Sequence, residues 1–94
     1  MAATATTIRV PLGRTLATPG ALELTTAAER NIAFTRHSRG DWGDVCKEDW
    51  QTNDQALRDG ERLLSIYHTL NGTKFYIITE ADRSATTILL PSEY

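Results

Sequence analysis

Asn71-Gly72 stands between two apolar runs, Leu63 to Leu70 and Thr73 to Thr79, and this dipeptide constrains the fold more than any other feature. Asn-Gly is the pair that a two-residue type I′ hairpin prefers, because both central positions need positive φ. Such a turn pairs residues whose numbers sum to 143, with Tyr67 across from Tyr76. One face of the hairpin then carries Leu64, Ile66 and His68 opposite Thr79, Ile77 and Phe75. That more apolar face is expected to meet the core. Ala85 to Leu90 reads as a further strand after the short loop Ala81-Asp82-Arg83-Ser84, which makes an antiparallel meander.

Upstream, the punctuation is helical. Thr18-Pro19 is a cap followed by a proline at the first helical position, where a missing N–H is no loss. Ala21, Leu24 and Ala28 follow as a narrow apolar stripe, and Asn31 is placed to cap a second helix that Gly40 closes. A third helix is expected from Val45 to Asp59, with Asp44 as its cap, Gly60 as its stop, and Cys46, Trp50, Asn53 and Leu57 on one face. Ile8 to Leu12 alternates briefly and reads as an N-terminal strand, with Pro11 confining it to an edge. The fold expected is therefore α+β: an N-terminal strand and two to three helices packed on one face of a three- to four-stranded antiparallel meander sheet. Residues 1–7 read as a flexible arm and residues 8–94 as a single domain, since 94 residues bury one core.

No apolar run approaches the roughly 20 residues that span a bilayer. Residues 1–7 lack the basic start and apolar stretch of a secretory signal. With the lone thiol of Cys46, this makes the cytoplasm the expected compartment. One cysteine and two histidines are too few for an ordinary zinc site without carboxylates, so no metal and no cofactor is expected. Charge is uneven: residues 1–40 carry a net +3, residues 41–61 a net −5, and the remainder none. That distribution suits a protein or nucleoprotein partner of mixed charge better than bare phosphate backbone. The sequence carries no signal of oligomeric state.

Three polar clusters are candidate binding sites. The first contains Arg36, His37, Asp41, Trp42 and Asp44, at a helix end that runs into a loop; Trp42 is also expected to plug the core. The second contains Glu80, Asp82 and Arg83 at a strand tip. Asn53 with Asp49 and Asp54 is the third, and its amide, on a core-facing stripe, must find partners in the 40–44 loop or the 80–84 turn. His68 is expected to pack against Phe75, and Cys46 to be a buried, inert thiol. No phosphate-cradling loop, nucleophile elbow or zinc-protease motif is present in the sequence. A metal-independent endoribonuclease with a helices-then-meander layout is the alternative. Glu80, His37 or His68, and Arg83 would then supply the base, the acid and the cation that bears on RNA.

Read together, Leu-Ala-Thr-Pro-Gly-Ala-Leu (16–22), Arg-His (36–37), Gly-Asp-Trp-Gly-Asp (40–44), Asn-Asp-Gln-Ala-Leu (53–57), Gly-Glu-Arg-Leu-Leu-Ser (60–65) and the segment from Ile78 to Tyr94 resemble a family of small bacterial plasmid-related proteins. These are carried on plasmids, phages and integrated elements. Trp50 stands where the resemblance has a charged residue. What the resemblance implies is an accessory protein of a mobile element, such as a regulator or an inhibitor of host defence; it assigns no catalytic residue.

Overall fold

A computed structural model describes residues 9–94, so the expected arm at 1–7 and the strand start at Ile8 lie outside the described residues. Strand β1 (Arg14–Ala17) leads into helices α1 (Pro19–Leu24), α2 (Ala27–Ser38) and α3 (Lys47–Asp59). Strands β2 (Leu63–His68), β3 (Lys74–Thr79) and β4 (Ala85–Leu89) follow, and a 3₁₀ turn spans Pro91–Glu93. The sheet order is β1-β4-β3-β2. β2, β3 and β4 form the expected antiparallel meander, but β1 lies parallel to β4, so the sheet is mixed. The α+β class holds, with the helices on one side of the sheet.

The N-terminal strand lies later than expected. Residues 9–12 are irregular and close the end of α2, whose Ser38 carbonyl accepts from the Arg9 and Val10 N–H groups. The strand itself, Arg14-Thr15-Leu16-Ala17, is largely exposed and so carries little alternation to read. The first two helices part at Thr25-Thr26 and not at Asn31. Thr26 and Glu29 form a reciprocal capping box, the Thr-x-x-Glu signature of a helix start. α3 begins at Lys47 with Cys46 at its cap position and no side-chain cap bond, and Gly60 ends it in the left-handed region as expected. Cys46 is exposed, not buried.

The hairpin is where expectation and structure differ most. Its connection is a three-residue loop, Leu70-Asn71-Gly72, closed by Thr69 N–H to the Thr73 carbonyl at 2.9 Å. Gly72 takes φ 91°, while Asn71 stays at negative φ, so this is not a type I′ turn. The Gly72 N–H bonds the Thr69 carbonyl, and the Thr69 and Asn71 side chains close the loop from within. A glycine in the left-handed region after a tight turn is the usual three-residue solution. From outside, the Glu29 carboxylate accepts the Leu70 N–H at 3.0 Å, tying the tip to α2.

Tyr67 therefore pairs with Phe75, and the register differs by one from that expected. Because side chains alternate, one step turns β2 over. Leu63, Ser65 and Tyr67 are buried inward, while Leu64, Ile66 and His68 lie on the other face.

Two apolar clusters fill the interior. Ala21, Ala33, Tyr67, Phe75, Ile77 and Ile88 join α1 and α2 to the sheet. Val10, Trp42, Ala56 and Leu63 join α3 to the loop before it. α3 also seals the outer edge of β2. Asn53 gives its amide N–H to the Leu64 carbonyl at 2.7 Å and accepts the Leu64 N–H at 3.1 Å. Ile66 is met in the same way by the Trp42 carbonyl and the Asp44 N–H. Asn53 is thus buried as expected, but its partner is a strand edge in place of either loop.

No helix among the described residues is long and apolar enough to cross a membrane.

At Gly43 a Cβ would overlap the Ile66 carbonyl oxygen, and the backbone sits at φ 78°. At Gly60 φ is similar, 71°, but the space is open. Gly60→Ala should therefore cost only about 1 kcal/mol, whereas Gly43→Ala should cost several times as much by pushing the loop off β2. Urea unfolding of the two variants compares these costs directly.

Candidate functional site

The sequence clusters divide into three places. His37 and Trp42 are fully buried and Asn53 is 93% buried, so none of the three meets solvent to any useful extent. The Trp42 indole donates to Asp54 Oδ1 at 2.9 Å, and its ring stands edge-on to the His37 imidazole at 5.4 Å.

His37 belongs to a chain of hydrogen bonds whose direction can be deduced. The Leu12 carbonyl can only accept, so the Thr86 hydroxyl donates to it at 2.7 Å. Thr86 Oγ1 then accepts from Thr79 at 2.8 Å, and Thr79 Oγ1 accepts from His37 Nε2–H at 2.8 Å. Nδ1 is left as an acceptor for the Ser65 hydroxyl at 2.6 Å. The histidine is neutral and carries its proton on Nε2. Burial, with a smaller contribution from Arg83, lowers its pKa from 6.5 to about 4.

Glu80, Asp82 and Arg83 sit at the far tip of β3 and β4. Glu80 and Asp82 are exposed. Asp82 accepts the Ser84 N–H at 2.9 Å and is held below the usual carboxylate range, first by the Ser84 side chain. Arg83 adopts φ 62° and turns its guanidinium onto the backbone. Nη1 reaches the Glu61, Glu80 and Ala81 carbonyls at 2.7, 3.2 and 3.3 Å, and Nη2 reaches Ala56 at 3.3 Å. It closes the end of α3 against the turn. At the other end of β3, His68 pairs with Lys74 in the ladder. The length of that strand, about 17–20 Å, separates His68 from Glu80 and Arg83. His68 therefore lies apart from Glu80 and Arg83, while His37, bonded to Thr79 beside Glu80, is fully buried.

Arg36, Asp41, Asp44 and His68 do come together, beside a groove between α2 and the hairpin. His68 is exposed, not packed on Phe75; its Nδ1 meets Asp44 Oδ2 at 2.7 Å. This contact also occupies the carboxylate that was expected to cap α3. Arg36 makes two bonds to Asp41, Nε–Oδ2 at 2.8 Å and Nη2–Oδ1 at 3.3 Å, and lies 4.8 Å over the Tyr67 ring. This pairing raises the Arg36 pKa and lowers that of Asp41, in each case chiefly through the shared hydrogen bond. The Tyr67 hydroxyl donates to the Asp41 carbonyl at 2.6 Å, and burial pushes its pKa up.

The groove encloses about 340 Å³. Its floor is Ala33, Tyr67 and Phe75, and Ile32 and Leu70 stand on its rim, 61% and 100% exposed. Sequence reasoning missed both rim residues. A leucine in the first position of a turn otherwise built from Asn and Gly was the available signal for Leu70; Ile32 follows once α2 is started at Thr26.

No group of three or more His, Cys, Asp or Glu side chains among the described residues is arranged to hold a metal ion. No family model, curated protein or solved structure matches the chain.

Two outcomes follow from this geometry. Below pH 6.5 the unfolded chain binds a proton at His37 that the folded chain refuses until about pH 4. Stability should therefore fall as pH drops through that window, by up to about 3 kcal/mol. His37→Gln should flatten that segment of a plot of urea-unfolding free energy against pH. Arg83→Lys cannot span four carbonyls and should lower stability by about 1–3 kcal/mol, seen as an earlier urea midpoint.

Proposed function

We propose that this protein is a non-enzymatic, macromolecule-binding accessory protein of a mobile genetic element, a regulator or an inhibitor of host defence that works in the cytoplasm. The groove between α2 and the hairpin carries the binding part of this reading. A fully exposed leucine and a mostly exposed isoleucine border an apolar floor, and the Arg36–Asp41 ion pair and the His68–Asp44 hydrogen bond lie beside them. Apolar anchors in a recess flanked by fixed charges of both signs suit a protein segment of mixed charge. One apolar side chain of the partner fills the floor, while its charged neighbours meet Arg36 or Asp44. The mobile-element part rests on the resemblance carried by residues 40–44 and 78–94. Separation of Glu80 and Arg83 from His68, and the burial of His37, give the RNA-cleaving alternative no support.

The test is co-purification from the host cell with quantitative mass spectrometry, comparing wild type with Ile32→Asp and Leu70→Asp. Both sites are exposed, so both variants should fold. Loss of an apolar anchor should reduce partner recovery by about tenfold or more, whereas Asp82→Asn at the far tip should leave it unchanged. Equal recovery by all four proteins would remove the groove from the mechanism. Cleavage of single-stranded RNA in EDTA, lost in His68→Ala, would replace binding with catalysis.

A further inference from the structure

The two edges of the sheet are treated differently. Along β2, Leu64 and Ile66 each have both backbone groups met from outside. Along β1, Arg14 and Thr18 donate toward β4, to the Ser84 and Ile88 carbonyls at 3.0 and 3.1 Å. Backbone groups alternate along a strand, so those of Thr15 and Ala17 point away from the sheet. They have no partner among the described residues. An open edge of this kind is a template for another extended strand.

We propose that β1 pairs antiparallel with β1 of a second copy, joining two sheets into one of eight strands. The register follows from the residues. Placing Leu16 opposite Leu16 of the second copy sets Thr15 against Ala17 twice, and all the outward N–H and C=O groups are then used in four hydrogen bonds. Shifting by one pair toward α1 would set Thr15 against Pro19, which has no N–H to give. Shifting the other way leaves Ala17 opposite Gly13, outside the strand.

Side chains agree with the same register. Leu16 is 40% exposed and would meet its own copy at the non-hydrogen-bonded position, where side chains approach most closely. Arg14 lies across from Thr18 of the other copy. Within one chain the Thr18 hydroxyl donates to the Glu93 carboxylate at 2.6 Å, and that carboxylate also accepts from the Gly20 and Leu90 N–H groups. Glu93 has no cation, and the Arg14 side chain no partner, among the described residues. Two-fold pairing brings each Arg14 to the other copy's Glu93, so that one ion pair flanks the leucines on either side. Leu22 and Leu24, on the helix that leaves the same edge, are also exposed.

This edge lies at the opposite side of the sheet from the α2–hairpin groove, so the inference stands or falls separately from the proposed function. Sedimentation velocity over a concentration series tests it. Wild type is expected to show a reversible dimer, and Leu16→Lys and Arg14→Glu should each weaken it by about tenfold or more with unchanged circular dichroism. In a Cys46→Ser background, Leu16→Cys should oxidise to a covalent dimer, because directly opposed positions about 4.5 Å apart lie within disulfide reach. Leu70→Cys, at the hairpin tip, should not. A wild type that stays monomeric up to about 1 mM would overturn the proposal. So would a dimer that both β1 substitutions leave intact.

Discussion

The hydrogen-bond chain through His37 is the interaction on which the rest of this structure depends. It runs from the Leu12 carbonyl through Thr86 and Thr79 to the imidazole and on to Ser65. It therefore ties the segment before β1 to β4, β3, α2 and β2. The Thr79 and Thr86 hydroxyls each give and receive, and the carbonyl at one end sets the direction of every bond. A buried network with all members met is rigid; one with a member missing leaves several groups unmet at once. The edge-on contact between His37 and Trp42 carries this order into the second apolar cluster, where the indole reaches Asp54 on α3.

Much of the polarity that suggests chemistry in the sequence is spent on holding backbone. Asn53 takes the place of a neighbouring strand along β2, and Arg83 closes a helix end. A short chain with two small apolar clusters has few other ways to fix helices to a sheet, because burial alone is non-directional. Residues with exact donor and acceptor geometry supply the register that apolar contacts lack. What remains for a partner is the surface this scaffold leaves over: a recess with exposed apolar residues at its rim and one unsealed edge.

Local signals were legible where chain-neighbouring residues decide the outcome. Thr18-Pro19 starts α1, Gly60 ends α3, and Asn71-Gly72 marks a turn between two strands. The register around that turn was not legible, since a contact from Glu29, 41 positions away from Leu70, helps to hold a three-residue loop. β1 escaped notice because parallel pairing with a distant strand leaves no alternation in four mostly exposed residues. Of the candidate site, Arg36, Asp41, Asp44 and His68 were individually visible. Their meeting beside Ile32 and Leu70 depends on the one-step register that carries His68 out of the core face. The Thr26–Glu29 capping box is legible as Thr-x-x-Glu, a stronger start signal than the lone Asn31.

The parallel pairing of β1 also bears on the order in which the fold can assemble during synthesis. β1 is made long before β4, its neighbour in the sheet: Thr18 and the Ile88 carbonyl that it meets are 70 positions apart. On the ribosome, at about 5–20 residues per second, the first strand must wait several seconds for β4. The meander can pair as soon as β3 and β4 emerge, because its turns are local. Nascent chains should thus pass through a stage in which the hairpin is formed while the leading segment is still undocked. Closure by the oldest part of the chain is then the last event, and its long sequence separation makes it the slow one.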